Sequence, residues 1–227
     1  HVGNLAHALK TPLSVMVNEA AARGDMKTIH KRLHQSLRLA LVTGAPFAVM
    51  MLVLAEPLCY YLYNNAEVGK MLQMMAPVAL FLYFQGPLQA TLQALDRPGS
   101  ALTNTFVGAV VKLALIVFLA SRPQWGILGA VVAINVNIAL VTMLHWHSVA
   151  KLLRFRMQGV HFVKTGVAAV LMGLSCYALM HQPLFGTPFV RFASACGVGT
   201  VVYLVCIFML KLVDRSDVSR VSWFGKK

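Results

Sequence analysis

The 227 residues are 58% hydrophobic and only 12% charged, with a mean hydropathy of +0.69, whereas soluble domains hold roughly 45–50% apolar and about 25% charged residues. This composition excludes water as the main solvent and indicates an integral membrane protein. Lys and Arg outnumber Asp and Glu by 20 to 7, but most of the cations lie between apolar runs rather than on one polar face, which argues against nucleic-acid binding.

The first 25 residues carry a motif of their own. The string from Val2 to Val15, VGNLAHALKTPLSV, resembles the H-box of sensor histidine kinases, in which a solvent-facing His followed five residues later by Pro accepts phosphate from ATP. The resemblance makes His7 a candidate phosphoacceptor. However, Ala8 replaces the usual acidic or polar neighbour, and no downstream segment resembles a Gly-rich ATP-binding domain. The alternatives are a fusion with its junction near residues 20–25 and the end of a degenerate membrane helix.

Residues 27–38 follow, with Ile29, Leu33 and Leu37 at helical spacing among Lys and Arg side chains. This pattern predicts an amphipathic helix at the anionic inner membrane surface, before the chain turns into the bilayer.

Six apolar stretches are long enough to cross a bilayer, which takes about 20 residues at a rise of 1.5 Å each. Breakers or interfacial groups such as Asn64-Asn65 and Arg122-Pro123 separate them. Pro46 and Pro77 lie inside the first two stretches and predict bends in those helices, although prolines are in general commoner in membrane helices than in soluble ones. The predicted spans are about 38–63, 70–95, 99–121, 125–149, 160–181 and 188–211.

The basic residues predict the orientation of these spans. If the segment before the first span is cytoplasmic, that side receives fifteen of the 20 Lys and Arg residues and the opposite side receives three. One span more or fewer would break this asymmetry, so it favours six spans with both ends in the cytoplasm. The fifteen are Arg23, Lys27, Lys31, Arg32, Arg38, Arg97, Lys151, Arg154, Arg156, Lys164, Lys211, Arg215, Arg220, Lys226 and Lys227; the three are Lys70, Arg122 and Arg191.

Polar side chains inside the spans are the candidate site residues. Lys112 lies near the centre of the third span, where a charge costs about 2.5–3.5 kcal/mol and is expected to face a cavity or a partner. Helical spacing places Asn104 on the same face, Gln85 and Gln89 together on the second span, and Asn135 on the fourth. These five predict the polar lining of a hydrated transport cavity. Alternatively, the amides bond between helices and clamp the bundle.

We expect no metal site and no cofactor. The four cysteines lie in apolar runs without C-x-x-C spacing, which is typical of buried, inert thiols. His145 and His147 flank Trp146 without an accompanying carboxylate or Cys, which predicts a position in the aromatic belt at the inner membrane interface.

Several short motifs, in their order along the chain, carry a resemblance that covers residues 24 to 227. They are the basic stretch 27–38, Gly44-Ala45-Pro46, AEPLCYYLY at 55–63, QGPLQATLQALDRP at 85–98, Lys112, and the Gly-x-x-Gly-Ala turn at 126–130. In this order they resemble the stage V sporulation protein B branch of the multidrug, oligosaccharidyl-lipid and polysaccharide exporter superfamily.

The resemblance implies an all-α integral membrane fold related to MATE (multidrug and toxic compound extrusion) transporters, with two pseudo-symmetric helix lobes. Residues 26–227 would be the six-helix carboxy-terminal lobe, and the amino-terminal lobe would be missing, as the start at His1 without Met also suggests. Residues 1–25 would be the H-box-like segment or a residual helix.

The function implied is transport rather than enzymatic catalysis. A lipid-linked oligosaccharide or peptidoglycan precursor would be flipped across the bacterial cytoplasmic membrane by alternating access, with the bilayer and the lipid-linked sugar as partners. One alternative is a drug or cation antiporter, which needs a carboxylate in the bundle and finds mainly the peripheral Glu56. The other, from a different class, is a sensor histidine kinase fragment acting through His7.

Overall fold

The computed structural model describes residues 17, 20–154, 159–182 and 187–212, and these residues form six long α-helices. Each contains an apolar window long enough to cross a membrane, so the predicted all-α membrane fold with six spans is confirmed. Most helix ends lie within a few residues of the predicted ones. The helices are α1 (Met26–Tyr63), α2 (Ala66–Ala94), α3 (Pro98–Ala120), α4 (Gly126–Leu153), α5 (Gly159–His181) and α6 (Pro188–Met209).

The start of α1 differs from the sequence-based expectation. Residues 27–38 are not a separate surface helix, because they run without a break into the first span and make α1 38 residues long, about 57 Å at 1.5 Å per residue. Ile29, Leu33 and Leu37 are at most 1% exposed. The apolar stripe of this segment therefore packs on the protein instead of on lipid, and the prediction of a surface-lying helix is wrong.

Two polar contacts hold this extended start of α1. The Asp25 carboxylate caps the helix by accepting hydrogen bonds from the Thr28 backbone N–H at 3.1 Å and from its hydroxyl at 2.6 Å. These bonds, the hydroxyl bond first, hold the pKa of Asp25 below its ordinary value. One turn later the two ring nitrogens of His30 lie 2.7 Å from the carbonyl oxygens of Met26 and Leu153. The His30 ring therefore joins the first turn of α1 to the end of α4.

Short turns join α1, α2, α3 and α4, and each helix of this series packs antiparallel to the next one. Asn64 ends α1 in the left-handed conformation (φ 52°), and the Asn65 side chain then caps α2 by accepting from the Glu67 N–H at 2.9 Å. Pro98 begins α3 at a position where its missing N–H costs no helix bond. Asparagine tolerates positive φ and also caps well, so the predicted breaker Asn64-Asn65 serves both helices.

The core has two parts, and α1 contributes to both. Its first half, with Leu33 and Leu37, packs in a cluster with α2 and α4 that includes Leu88 and Val149. Farther along, Leu54 belongs to a second cluster with α5 and α6. In these clusters α1 lies between the α2–α3–α4 group and the α5–α6 pair.

Different contacts join the helices at the two ends of the bundle. The basic end, where α1, α3 and α5 begin and α2, α4 and α6 finish, carries the His30–Leu153 contact and a 3.3 Å bond from the Lys164 ammonium to the Leu210 carbonyl. At the opposite end the Tyr61 ring meets that of Phe189 edge to face at 5.4 Å. Aromatic rings at a span terminus are typical of a membrane interface.

Candidate functional site

The α2–α3–α4 group brings together most of the predicted site residues. Gln85 on α2 donates its amide to two acceptors on α4, the Ile138 carbonyl at 3.1 Å and the Thr142 hydroxyl at 3.0 Å. Thr142, which is 4% exposed, donates in turn to the Ile138 carbonyl at 2.7 Å. A small polar network thus joins α2 to α4 inside the bundle.

Two asparagines extend this pattern of contacts. Asn135 on α4 donates to the Met74 carbonyl of α2 at 2.9 Å, and Asn104 on α3 donates to the Ser148 hydroxyl of α4 at 3.0 Å. The amide donors of Gln85, Asn104 and Asn135 are therefore all used between helices. This is the geometry of interhelical clamps, each worth about 0.6 kcal/mol on average in membranes.

Sequence reasoning missed the acceptors of these bonds. Thr142 and Ser148 carry no distinctive motif, and hydroxyls in helices commonly bond their own backbone. The one available signal was that both lie on α4 within about one turn of Trp146, in a segment that also holds a buried His.

Lys112 lies on the face of α3 that approaches α4. Gly108, one turn before it, is so close to Val141 that a methyl group there would overlap the valine side chain and would lie 2.8 Å from the Asn137 amide oxygen. Lys112 itself is partly exposed. Across the described ranges, the Lys112 ammonium makes neither a hydrogen bond nor an ion pair. The amides of Asn104 and Asn135, by contrast, donate hydrogen bonds to other helices.

The remaining predicted residues have separate positions. Gln89 lies one turn beyond Gln85 on α2 and is half-buried. His7 lies outside the described residues. His145 faces the interior of the bundle, where it is 1% exposed and contacts the Val141 carbonyl through Nδ1 at 2.7 Å. Its position one turn from that carbonyl allows it to be buried with a satisfied ring nitrogen.

The described part of the chain holds no group of three or more His, Cys, Asp or Glu side chains that would suit a metal ion. What these three helices offer chemically is a lysine ammonium on α3 and, elsewhere along α2, α3 and α4, amides and hydroxyls. Such groups donate hydrogen bonds and attract anions.

Comparison with known proteins gives the chain its relatives. The chain is 31% identical to Stage V sporulation protein B of Bacillus subtilis, an alignment that covers 98% of this chain and 43% of that protein. It is 29% identical to Sporulation protein YkvU of the same organism, over 66% of this chain and 34% of the relative. The uncharacterized membrane protein YabM, also from B. subtilis, is 24% identical over 98% of this chain and 42% of its own length.

The chain thus spans less than half the length of these relatives. The MatE family profile matches residues 2–118, which include the H-box-like string, helices α1 and α2 and nearly all of α3. Since this match covers more than half of the 227 residues, the chain belongs to the MatE family, and with it to the multidrug, oligosaccharidyl-lipid and polysaccharide exporter superfamily.

Proposed function

We propose that the complete protein flips a lipid-linked oligosaccharide or peptidoglycan precursor across the bacterial cytoplasmic membrane by alternating access. Residues 26–227 would form one six-helix lobe, and a lobe outside this chain would complete the transport pathway. The process needs no covalent catalysis and no cofactor from these residues. Membership of the MatE family and the similarity to Stage V sporulation protein B support this proposal.

The observation that carries the proposal is the position of Lys112. It lies about 21 Å along α3 from Pro98 and about 12 Å from Ala120, at 1.5 Å per residue. An ammonium at such depth costs about 2.5–3.5 kcal/mol unless water or an anion stabilises it. No carboxylate among the described residues pairs with Lys112. The phosphate of a lipid-linked sugar is an anion that can supply the negative charge to pair with the Lys112 ammonium.

The interhelical amide bonds have a supporting role in this proposal. Asn104, Gln85 and Asn135 hold α2, α3 and α4 together, so that Lys112 is presented on a rigid surface. The group proposed to accept a hydrogen bond from a sugar hydroxyl is the side-chain amide oxygen of Asn135, which is buried and accepts no hydrogen bond from the described residues. Gln89, one turn from Gln85 on α2, is proposed as a further lining residue.

The charge distribution supports the orientation. In the proposed arrangement the basic end faces the cytoplasm, because the six-span prediction from the sequence assigns fifteen of the 20 Lys and Arg residues to that side. Both ends of the chain are then cytoplasmic.

The antiporter alternative finds less support in this chain. It requires a carboxylate that binds a proton or a cation within the bundle, yet Asp25 and Glu67 are at helix starts and Asp96 is in a turn. Glu56 is half-buried, but it lies only two turns from the end of α1.

The kinase alternative rests on His7 alone, and the MatE match already includes that string from residue 2. We therefore also propose that residues 1–25 belong to the transporter. Incubation of the purified chain with radiolabelled ATP tests it, and we expect no label. Acid-labile phosphate on His7, absent from His7→Gln, would contradict it.

Transport itself is tested with the full-length protein in liposomes that contain a fluorescent lipid-linked oligosaccharide diphosphate. We expect Lys112→Gln to slow flipping at least tenfold and Lys112→Arg to retain most of the rate, because arginine keeps the charge. Lys151→Gln is the matched control, since it removes an exposed lysine from the last turn of α4. Wild-type flipping by Lys112→Gln, or flipping of a neutral lipid-linked sugar at the same rate, would refute the role of Lys112.

A further inference from the structure

Pro46 lies inside α1 and removes one bond from its backbone ladder. Proline has no N–H, so the carbonyl four residues earlier, that of Val42, loses its usual helical partner. Tyr203 on α6 donates its hydroxyl to this carbonyl at 2.7 Å. The tyrosine is 4% exposed and 161 residues away in sequence. A side chain from another helix thus replaces the bond that the proline removed.

The two sides of this position are packed differently. Toward α2, Gly44 lies against Tyr83, whose ring carbons are 2.8 Å from where a β-carbon would be, and Phe47 stacks on the same ring at 6.2 Å. Toward α6, a cavity of about 380 Å³ borders Val42, Pro46 and Tyr203. The Tyr203 hydroxyl therefore holds the backbone on the side where space remains.

We propose that α1 has a hinge at Pro46 and that Tyr203 on α6 is its latch. With the bond made, the Val42 carbonyl is satisfied and the two halves of α1 are held in line. With the bond broken, the half that begins at Met26 moves relative to the half that ends at Tyr63, and the cavity gives it room. An unsatisfied buried carbonyl costs about 1–3 kcal/mol, a cost that binding of a ligand can offset. The hinge does not depend on which substrate is carried.

The first test is a double-mutant cycle on the chain in detergent. With Pro46 present, Tyr203→Phe is expected to raise the unfolding equilibrium constant about five- to 150-fold, because it leaves a buried acceptor without a donor. In the Pro46→Ala background a backbone N–H again meets the Val42 carbonyl, so the same change is expected to have less than about a twofold effect. Equal effects in both backgrounds would overturn the latch.

Tyr83→Phe is the matched control. This tyrosine packs against the same turn of α1, but its hydroxyl makes no hydrogen bond to any residue that the structure describes. We expect its effect to be the same with and without Pro46. A Pro46-dependent effect of Tyr83→Phe as large as that of Tyr203→Phe would show that packing, and not the hydrogen bond, responds to the proline, and would overturn the proposal.

The second test measures the motion directly. Spin labels at Lys31 and Leu52, both exposed and on opposite sides of Pro46, lie about 32 Å apart along the helix at 1.5 Å per residue. Labelling through non-natural amino acids leaves the native cysteines in place. Tyr203→Phe is expected to broaden or shift the distance distribution, and Tyr83→Phe is expected to leave it unchanged. An unchanged distribution in Tyr203→Phe would make the tyrosine a static cap and would overturn the hinge.

Discussion

Gly69→Ala tests how closely α1 and α2 approach each other near the end of the bundle that lies opposite the basic end. A β-carbon at Gly69 would lie 2.5 Å from the Glu56 α-carbon and 2.9 Å from the Ala55 carbonyl oxygen. Nonbonded carbons prefer about 3.5–4.0 Å, so the two backbones must separate by roughly 1 Å. No rotamer change relieves the overlap, because the obstructing atoms belong to the backbone. Overpacking of this kind costs about 1–3 kcal/mol.

The gain in helix propensity from Gly to Ala, about 1 kcal/mol at most, offsets only part of this cost. A loss of 1 kcal/mol lowers the melting temperature by about 2–4 °C for a chain of 150–250 residues, so we expect a net decrease on the order of 5 °C. The assay is the fraction of monodisperse protein that remains after heating in mild detergent.

Gly166→Ala is the control, because Gly166 is also helical and a β-carbon there meets nothing within 4 Å. It should melt at or slightly above the wild-type temperature. If Gly69→Ala were as stable as Gly166→Ala, the close approach of α1 and α2 at Glu56 would be refuted.

Two further predictions concern polar contacts. Gln85→Leu removes two hydrogen bonds to α4 and is expected to destabilise the chain by about 1 kcal/mol. Gln93→Leu, at an exposed position, should be neutral in the same heating assay. Equal losses of stability in the two variants would contradict the role of Gln85 in joining α2 to α4. Asp25 has a lowered pKa, so its capping bond to Thr28 stabilises α1 above the unfolded-state pKa and is lost as the pH falls through the lower folded-state pKa. The protection of the first-turn amides of α1 against exchange, relative to their intrinsic exchange rate, should therefore fall below about pH 4 in the wild type. Asp25→Asn keeps an acceptor oxygen and should show no such step; a step of the same size in both would refute the titration of this cap.

The sequence predicts which residues share one face of a helix, but it does not predict which residues meet between helices. It placed Asn104 and Lys112 on one face of α3 because helical periodicity is local. Nothing in that periodicity paired Asn104 with Ser148, 44 residues away, or distinguished a bonded amide from Lys112, whose ammonium has no partner in the described ranges. The error at residues 27–38 has the same origin. An amphipathic stripe looks alike whether lipid or protein covers it, and only the packing of Leu33 and Leu37 on α2 and α4 shows which one does.

The sequence by itself determined that this is a membrane protein and that the residues described in the structure hold six spans, since the length and hydrophobicity of each apolar run decide whether a helix can cross a bilayer. It also determined the family, through motifs that needed no structure. The tertiary structure alone decided which polar groups bond across helices, and it alone showed that Tyr203 meets the carbonyl freed by Pro46. Such contacts join residues far apart in the chain, and their geometry exists only after the helices have packed.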